Sequence, residues 1–207
     1  QKDYEGSHNK YFKSLTVQRN DLEDFFKTFN YSLITWTKDE KRKNEEYNRG
    51  REKATFESAS GLVIDIDENL SIKEAQYILE EKEYNYSIIT SRNHQKDAMK
   101  KGKFSPAQDR YHIVLFFNRD VTDPDEYSSV YSFISKLFPD LDESCKSRDR
   151  FLFGSPEDAE YYSWFEGQDI DVDRIKLEHR DFLNTPIAEK KNVFEFDIDR
   201  EVGLGSG

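Results

Sequence analysis

The chain has 207 residues, of which 35% are apolar and 35% are charged, so we expect one domain with a sizeable core and a highly charged surface. No apolar run approaches about 18 residues, which excludes a transmembrane helix, and the single cysteine, Cys145, excludes an internal disulfide and a cysteine-based zinc site. The net charge of -11 argues against a protein coated in nucleic acid by bulk electrostatics.

The charge is distributed unevenly along the chain. Residues 91–119 contain seven basic and two acidic residues, whereas residues 160–207 contain twelve acidic and six basic ones. A basic stretch inside an acidic protein fits a local phosphate site, and a solvated loop explains it equally well. The lone cysteine fits a reducing cytoplasm, where we expect the protein to act.

The chain begins with a polar segment, residues 1–30, in which apolar side chains at helical spacing from Leu22 to Phe29 predict one helix. Residues 31–36 then predict a strand. The charged residues 38–53 predict a surface hairpin or a loop that could approach a polyanion, and a solvated loop is the favoured interpretation.

The central predicted element is a strand that carries two acids, within residues 61–68. Side chains alternate along a strand, so the aliphatic residues Leu62 and Ile64 share one face. Asp65 and Asp67 share the other face, with their Cα atoms about 7 Å apart. Two carboxylates at this spacing repel each other unless a cation lies between them, and their oxygens suit Mg²⁺ or Mn²⁺. We therefore predict a metal site on this strand.

Short strands and helices follow the acidic strand. Ser71 and Glu74 form a capping pattern at the start of a helix, and Asp123 with Pro124 starts another that runs to about Phe138. Further strands are predicted at 86–90, 111–117, 150–153, 161–165 and 193–198. This mixed order predicts an α+β sandwich with a helix pair on one face of the sheet.

A second group of candidate residues follows the strand at 86–90. Ser91, Arg92 and His94 lie just past its end, in a cluster rich in the hydrogen-bond donors that an anionic ligand requires. A neutral His94 imidazole could donate to a phosphate oxygen or bind a metal. The alternative is a surface loop with one incidental histidine.

The third candidate stretch is the charged segment 140–154. A carboxylate here, near Lys146 and Arg150, could complete a metal site and position a polyphosphate. Taken alone, the segment is an ordinary charged loop. Asp140 and Asp142 both offer such a carboxylate.

These three stretches together resemble the catalytic core of the archaeo-eukaryotic primase superfamily, the primase-polymerases of phages, plasmids and mobile elements. The family carries an acidic pair on a strand, which corresponds to residues 65–67. Its small-residue/histidine motif corresponds to residues 91–95. Its third carboxylate, which precedes an Arg-aromatic strand and a Gly turn, corresponds to the stretch 142–154. Residues 109–115 resemble the strand that follows the histidine motif in the phage and plasmid branch. The resemblance covers about residues 30–160 and keeps the family's order and spacing.

The resemblance implies a fold and a set of site residues. The fold is an RRM-like antiparallel sheet with packed helices plus a second small α/β unit. The implied ligands of two divalent ions, Mg²⁺ or Mn²⁺, are Asp65, Asp67 and Asp142. The implied nucleotide-binding residues are His94, Ser91, Arg92, Lys146 and Arg150.

The resemblance also implies an activity, which is template-directed nucleotidyl transfer by a DNA primase or DNA polymerase. The expected partners are a single-stranded DNA template, a primer strand and a dNTP or NTP, with a helicase domain or protein as a further partner and no membrane. The catalytic core would occupy residues 31–165. An acidic C-terminal part of the same domain would occupy residues 166–202. Residues 203–207 would be a linker or a cloning remnant.

Two other classes of protein compete with this hypothesis. A rolling-circle replication nuclease needs a pair of metal-binding histidines and a nucleophilic tyrosine, and the sequence after His112 lacks the second histidine. A non-catalytic RRM-like module would bind single-stranded nucleic acid on its aromatic strands. That alternative leaves Asp65 and Asp67 unexplained, because both would repel phosphates.

Overall fold

The computed structural model describes residues 11–38, 49–51, 53–100, 103–138 and 147–184. Its helices are α1 (Leu22–Thr28), α2 (Ile72–Glu81), α3 (Pro124–Ile134) and α4 (Val172–Asn184). Its strands are β1 (Tyr11–Phe12), β2 (Ile34–Trp36), β3 (Arg49–Gly50), β4 (Phe56–Ile66), β5 (Tyr86–Thr90), β6 (Ala98–Lys100), β7 (Lys103–Ser105), β8 (Tyr111–Val121) and β9 (Tyr161–Trp164).

A five-stranded antiparallel sheet with the order β2-β4-β8-β5-β9 forms the centre of the fold. β4 and β5 both pair antiparallel with β8, so they run parallel to each other, and α2 connects them across the strand that separates them. β2 extends one edge of this unit and β9 extends the other. The predicted α+β class, an antiparallel sheet with packed helices, is confirmed.

The alternation along β4 decides which side chains face each side of the sheet. Leu62, Ile64 and Ile66 are buried in the larger core cluster, together with side chains of α2, α3 and α4. Val63 packs on the opposite face, against a smaller cluster that includes Phe26 of α1. Three helices therefore cover the first face, one more than the predicted pair, and α1 covers part of the second.

The sequence patterns for helix starts are confirmed at α2 and α3. The Ser71 hydroxyl accepts the backbone N–H of Glu74 at 3.3 Å, and the Glu74 carboxylate accepts the backbone N–H of Ser71 at 2.9 Å. Together these bonds form a capping box. Asp123 caps α3 by accepting backbone N–H groups of its first turn, and Pro124 is the first helical residue.

Two predicted strands are shorter in the structure. The strand predicted at 31–36 begins at Ile34, because Tyr31 pairs separately with Leu152 as an isolated bridge. The strand predicted at 150–153 is reduced to the same Tyr31–Leu152 bridge. The backbone carbonyls of Arg148 and Arg150, just before Leu152, accept hydrogen bonds from the side chains of Trp36 and Ser32 instead of from a neighbouring strand.

The structure also contains elements that the sequence analysis did not predict, namely α4, the short strand pair of β1 and β3, and the two-stranded ribbon of β6 and β7. The strand predicted at 193–198 and most of the charged stretch at 38–53 lie outside the described residues. None of the described helices combines the length and apolar character needed to cross a membrane.

Gly61 lies where the pairing of β4 with β8 changes register, between Ala59 and Gly61. A Cβ atom at this position would clash with the backbone carbonyl oxygen of Leu115 and lie 2.9 Å from the Leu33 side chain. Glycine therefore permits the close approach of the two central strands.

Replacing Gly61 with alanine should lower the free energy of unfolding by about 1–3 kcal/mol, because the backbone of β8 must move to admit the methyl group. Urea unfolding followed by circular dichroism measures this change. Ser60→Ala is the matched control, since Ser60 is exposed and should change stability by less than about 0.5 kcal/mol. Equal stability of the two variants would show that β8 relaxes without cost.

Candidate functional site

A cleft of about 490 Å³ opens on the sheet face opposite α2 and α3. Its floor lies at the end of β4, where Asp65 is directly opposite His112 of β8. The residues that line the cleft are Arg51, Asp65, Asp67, Ser91, Arg92, Asn93, His112, Ser147, Asp149, Arg150, Phe151, Leu152, Phe153, Gly154 and Ser155. Its volume is within the range of small-molecule sites in proteins.

Asp65, near the end of β4, and Asp67, which directly follows the strand, both line this cleft, as alternation along the chain predicts. Asp65 Oδ2 accepts a hydrogen bond from Arg150 Nη2 at 2.8 Å. The Asp65 side chain is 18% exposed, so this guanidinium compensates a carboxylate that is largely removed from water. The pair brings together two of the predicted site residues that are 85 positions apart in the chain.

A buried histidine and a buried tyrosine lie beneath Asp65. His112 Nε2 lies 3.7 Å from Asp65 Oδ1, and His112 Nδ1 lies 3.3 Å from the hydroxyl of Tyr31. Burial lowers the pKa of His112, which keeps the imidazole neutral at pH 7, and burial followed by the charge of Asp65 raises the pKa of Tyr31. The protonated tyrosine can donate to Nδ1, which leaves the Nε2 proton facing the carboxylate.

The segment that carries Arg150 is held in place by bonds to the region around α1 and β2. Leu152 exchanges two backbone hydrogen bonds with Tyr31, at 2.8 and 2.9 Å. The Ser32 hydroxyl donates to the carbonyl of Arg150 at 2.9 Å, and the backbone N–H of Gly154 donates to the Asn30 side chain at 3.0 Å. The wall of the cleft opposite β5 is therefore fixed by the N-terminal part of the described chain.

The other wall is formed by the residues that follow β5. Ser91, Arg92 and Asn93 line the cleft. His94 lies beside the lining, where its Nδ1 accepts the backbone N–H of Arg110 at 3.3 Å and is 3.9 Å from Asp109 Oδ1. With Nδ1 acting as acceptor, the neutral ring carries its proton on Nε2, which remains a potential donor.

Arg110 organises this wall from below. It is completely buried, although it carries a charge. Its guanidinium donates to the carbonyl oxygens of Asn93 at 2.7 Å, Lys96 at 2.5 Å and Pro106 at 2.8 Å, and to the hydroxyl of Ser105 at 2.8 Å. One side chain thus joins the loop after β5 to the end of β7.

The donor chemistry of the cleft fits a hard divalent cation, because Asp65, Asp67 and Asp149 all line it and offer carboxylate oxygens. Asp142, predicted as the third ligand, and Lys146 lie outside the described residues. Within the described ranges, no group of three or more His, Cys, Asp or Glu side chains is arranged to hold a metal ion. Among the predicted ligands, Asp65 and Asp67 are therefore the two that the described residues bring to the cleft.

Sequence reasoning missed two charged or titratable groups of the site. His112 was considered only as half of a missing histidine pair, yet it is the strand partner of Asp65. Arg51 lines the cleft, lies 4.4 Å above the Phe151 ring and donates to the carbonyl of Asp149 at 2.9 Å. Alternation along β8 could have found His112, whereas nothing in the local sequence points to Arg51.

Comparison with known proteins adds one likeness. No family model and no curated protein matches the chain. Among solved structures the chain is similar to the primase-polymerase domain of cyanophage S-2L, described as an AEP domain, with 12% sequence identity and a TM-score of 0.42. The match covers 62% of this chain and 64% of that domain, which is less than two thirds of its length. The function proposed below therefore rests on the residues of this chain.

Replacing Arg110 with methionine should lower the free energy of unfolding by at least about 2 kcal/mol, because four acceptors in the wall of the cleft lose their donor. Thermal or urea unfolding measures the loss. Lys73→Met is the control, since Lys73 is exposed on α2 and should change stability by less than about 0.5 kcal/mol. A change in Arg110→Met as small as in the control would contradict the assigned role.

Proposed function

We propose that the chain is a template-directed nucleotidyltransferase, a DNA primase or DNA polymerase of a phage, plasmid or other mobile element. One observation carries the proposal: Asp65 and Asp67 face the same cleft as the donor groups of Ser91, Arg92 and Asn93. A nucleoside triphosphate bound with divalent ions presents the matching charges, since its ions need carboxylates and its phosphate oxygens need donors.

The carboxylates of Asp65 and Asp67 would hold the ions, with Asp142 as the proposed third ligand. The bound ions would lower the pKa of the attacking hydroxyl and neutralise charge on the leaving phosphates. Tyr31 and His112 would keep the carboxylate of Asp65 in position from below, as the 3.3 and 3.7 Å distances of this network indicate.

The phosphates of the incoming nucleotide would bind to the wall that follows β5. Ser91 and Arg92 are the proposed donors, and His94 Nε2 is a further proposed donor at its margin. From the opposite wall, the guanidinium of Arg150 is positioned to exchange part of its contact with Asp65 for a phosphate oxygen. The 3′-hydroxyl oxygen of the primer would then bond to the α-phosphate, and pyrophosphate would leave.

The competing hypothesis of a non-catalytic binding module predicts a phosphate-attracting sheet face. The cleft instead presents Asp65 and Asp67 beside its cationic groups. Two carboxylates weaken a site for bare phosphates and strengthen one for phosphates that arrive with divalent ions. The distribution of charge within the cleft therefore favours the nucleotidyltransferase.

Primer extension tests the proposal directly. We expect the wild-type protein to extend a labelled primer on a single-stranded DNA template with dNTPs and Mg²⁺ or Mn²⁺. Asp65→Asn and Asp67→Asn should each lower the extension rate by about a hundredfold or more, because loss of an outer-shell partner alone costs metal sites about 10–100-fold. Products in a reaction without primer would identify a primase.

Asp120→Asn is the matched control, because Asp120 is an exposed acid near the far end of β8 and its loss should leave extension unchanged. Thermal unfolding of all variants separates lost activity from lost structure. Failure of the folded wild-type protein to extend a primer with either metal, while it still binds the template, would overturn the proposal in favour of the binding module.

A further inference from the structure

The β6–β7 ribbon carries two of the most exposed large apolar side chains in the described part of the protein. Met99 is 69% exposed and Phe104 is 65% exposed. The two residues form a directly opposite pair in the ribbon. Side chains of such a pair lie on the same face with their Cβ atoms about 4.5–5.5 Å apart. The ribbon therefore presents a small flat platform to solvent.

The chain around this platform is basic, although the protein as a whole has a net charge of -11. Lys96 precedes the ribbon, and Lys100 and Lys103 form the register pair next to Met99 and Phe104. Asp97 is the one acid among residues 96–105, and the lysines of this segment outnumber it. The local charge thus favours a polyanionic ligand.

The base of the ribbon is connected to the cleft by two side chains. Arg110 joins the hydroxyl of Ser105, at the end of β7, to the carbonyl of Asn93 in the wall of the cleft. Gln108 Nε2 donates to the backbone carbonyl of Asp67 at 2.9 Å. The ribbon therefore begins at the margin of the cleft, beside the residues proposed to bind the metal and nucleotide.

We propose that the β6–β7 ribbon binds a single strand of nucleic acid, with a base stacked on Phe104 and Met99 and the phosphates attracted by the basic segment 96–103 that contains the ribbon. Aromatic platforms combined with basic side chains are the general solution for single-stranded ligands, because every base offers a face for stacking. The identification of this strand as the template rests on the proposed function, whereas binding itself does not.

Charge also argues against a second copy of this chain on the same surface. Two copies meeting at this ribbon would bring two basic segments 96–103 together, and juxtaposed like charges oppose association. A single strand of DNA or RNA supplies the phosphates that these positions lack. The platform and its charge are thus explained by the same ligand.

Fluorescence anisotropy of a labelled oligo(dT) tests the proposal, with EDTA present and nucleotide absent so that catalysis plays no part. Phe104→Ala should raise Kd about fivefold or more, as expected from the measured contribution of base–aromatic stacking. Phe104→Trp should retain the wild-type affinity. The double variant Lys100→Gln/Lys103→Gln should reduce the slope of log Kd against log salt concentration by about 0.7 for each lost phosphate contact.

Tyr77→Ala is the matched control, because Tyr77 is an aromatic residue that is 67% exposed on α2, which packs on the other face of the sheet. We expect it to bind as the wild type does. Wild-type affinity in Phe104→Ala would overturn the proposal. So would sedimentation data in which Phe104→Ala converts a dimer to a monomer without changing Kd, since the ribbon would then serve self-association.

The outcome is separable from that of the nucleotidyltransferase proposal. If primer extension fails but Phe104→Ala weakens binding, the ribbon remains a nucleic-acid site on a non-catalytic protein. If extension succeeds and Phe104→Ala binds normally, the activity stands and the ribbon proposal is wrong.

Discussion

Burial of the aliphatic face of β4 is the constraint on which the rest of the site depends. Leu62, Ile64 and Ile66 are each at most 2% exposed beneath the helices, so the strand cannot turn over or slip by one residue without exposing them. The same alternation directs Asp65 and Asp67 to the open face. The carboxylates are therefore fixed by the hydrophobic core of the protein.

A second constraint comes from compensating charge in a partly buried site. Arg150 offsets the charge of Asp65, and the fully buried Arg110 is surrounded by oxygen acceptors from the two segments that it joins. Arg150 contacts Asp65 across 85 positions of sequence, and Arg110 joins the loop after β5 to the end of β7. The cleft is thus shaped by a few charged side chains on a frame of paired strands.

The local patterns of the sequence predicted the parts of the fold that depend on neighbouring residues. Alternation identified β4 and the common direction of Asp65 and Asp67, the second of which directly follows the strand. The capping residues identified the starts of α2 and α3. His112 lies opposite Asp65 because of the register between β4 and β8, and no local sequence pattern specifies that register. The bridge between Tyr31 and Leu152, which fixes the segment carrying Arg150, is a long-range pairing of the same kind.

The β6–β7 ribbon and α4 were missed for different physical reasons. Each strand of the ribbon has three residues, too few to show the alternation of apolar and polar residues that marks a strand. Its lysines at positions 100 and 103 give the segment the composition of a solvated loop. α4 lies in a strongly acidic stretch in which Val172 and Ile175 supply the buried contacts that the structure records. In α4, tertiary contacts outweigh weak local preference.

Binding of Mn²⁺ to the cleft tests the central claim most directly, because it depends on Asp65 and Asp67 and requires no turnover. Free Mn²⁺ can be counted by electron paramagnetic resonance as the ion is titrated into the protein, with and without dNTP. The account predicts that the wild type and Asp120→Asn bind Mn²⁺, more tightly with dNTP, and that Asp67→Asn binds it at least about tenfold more weakly. Equal Mn²⁺ binding by Asp67→Asn and the wild type, or none by any of the three proteins, would contradict it.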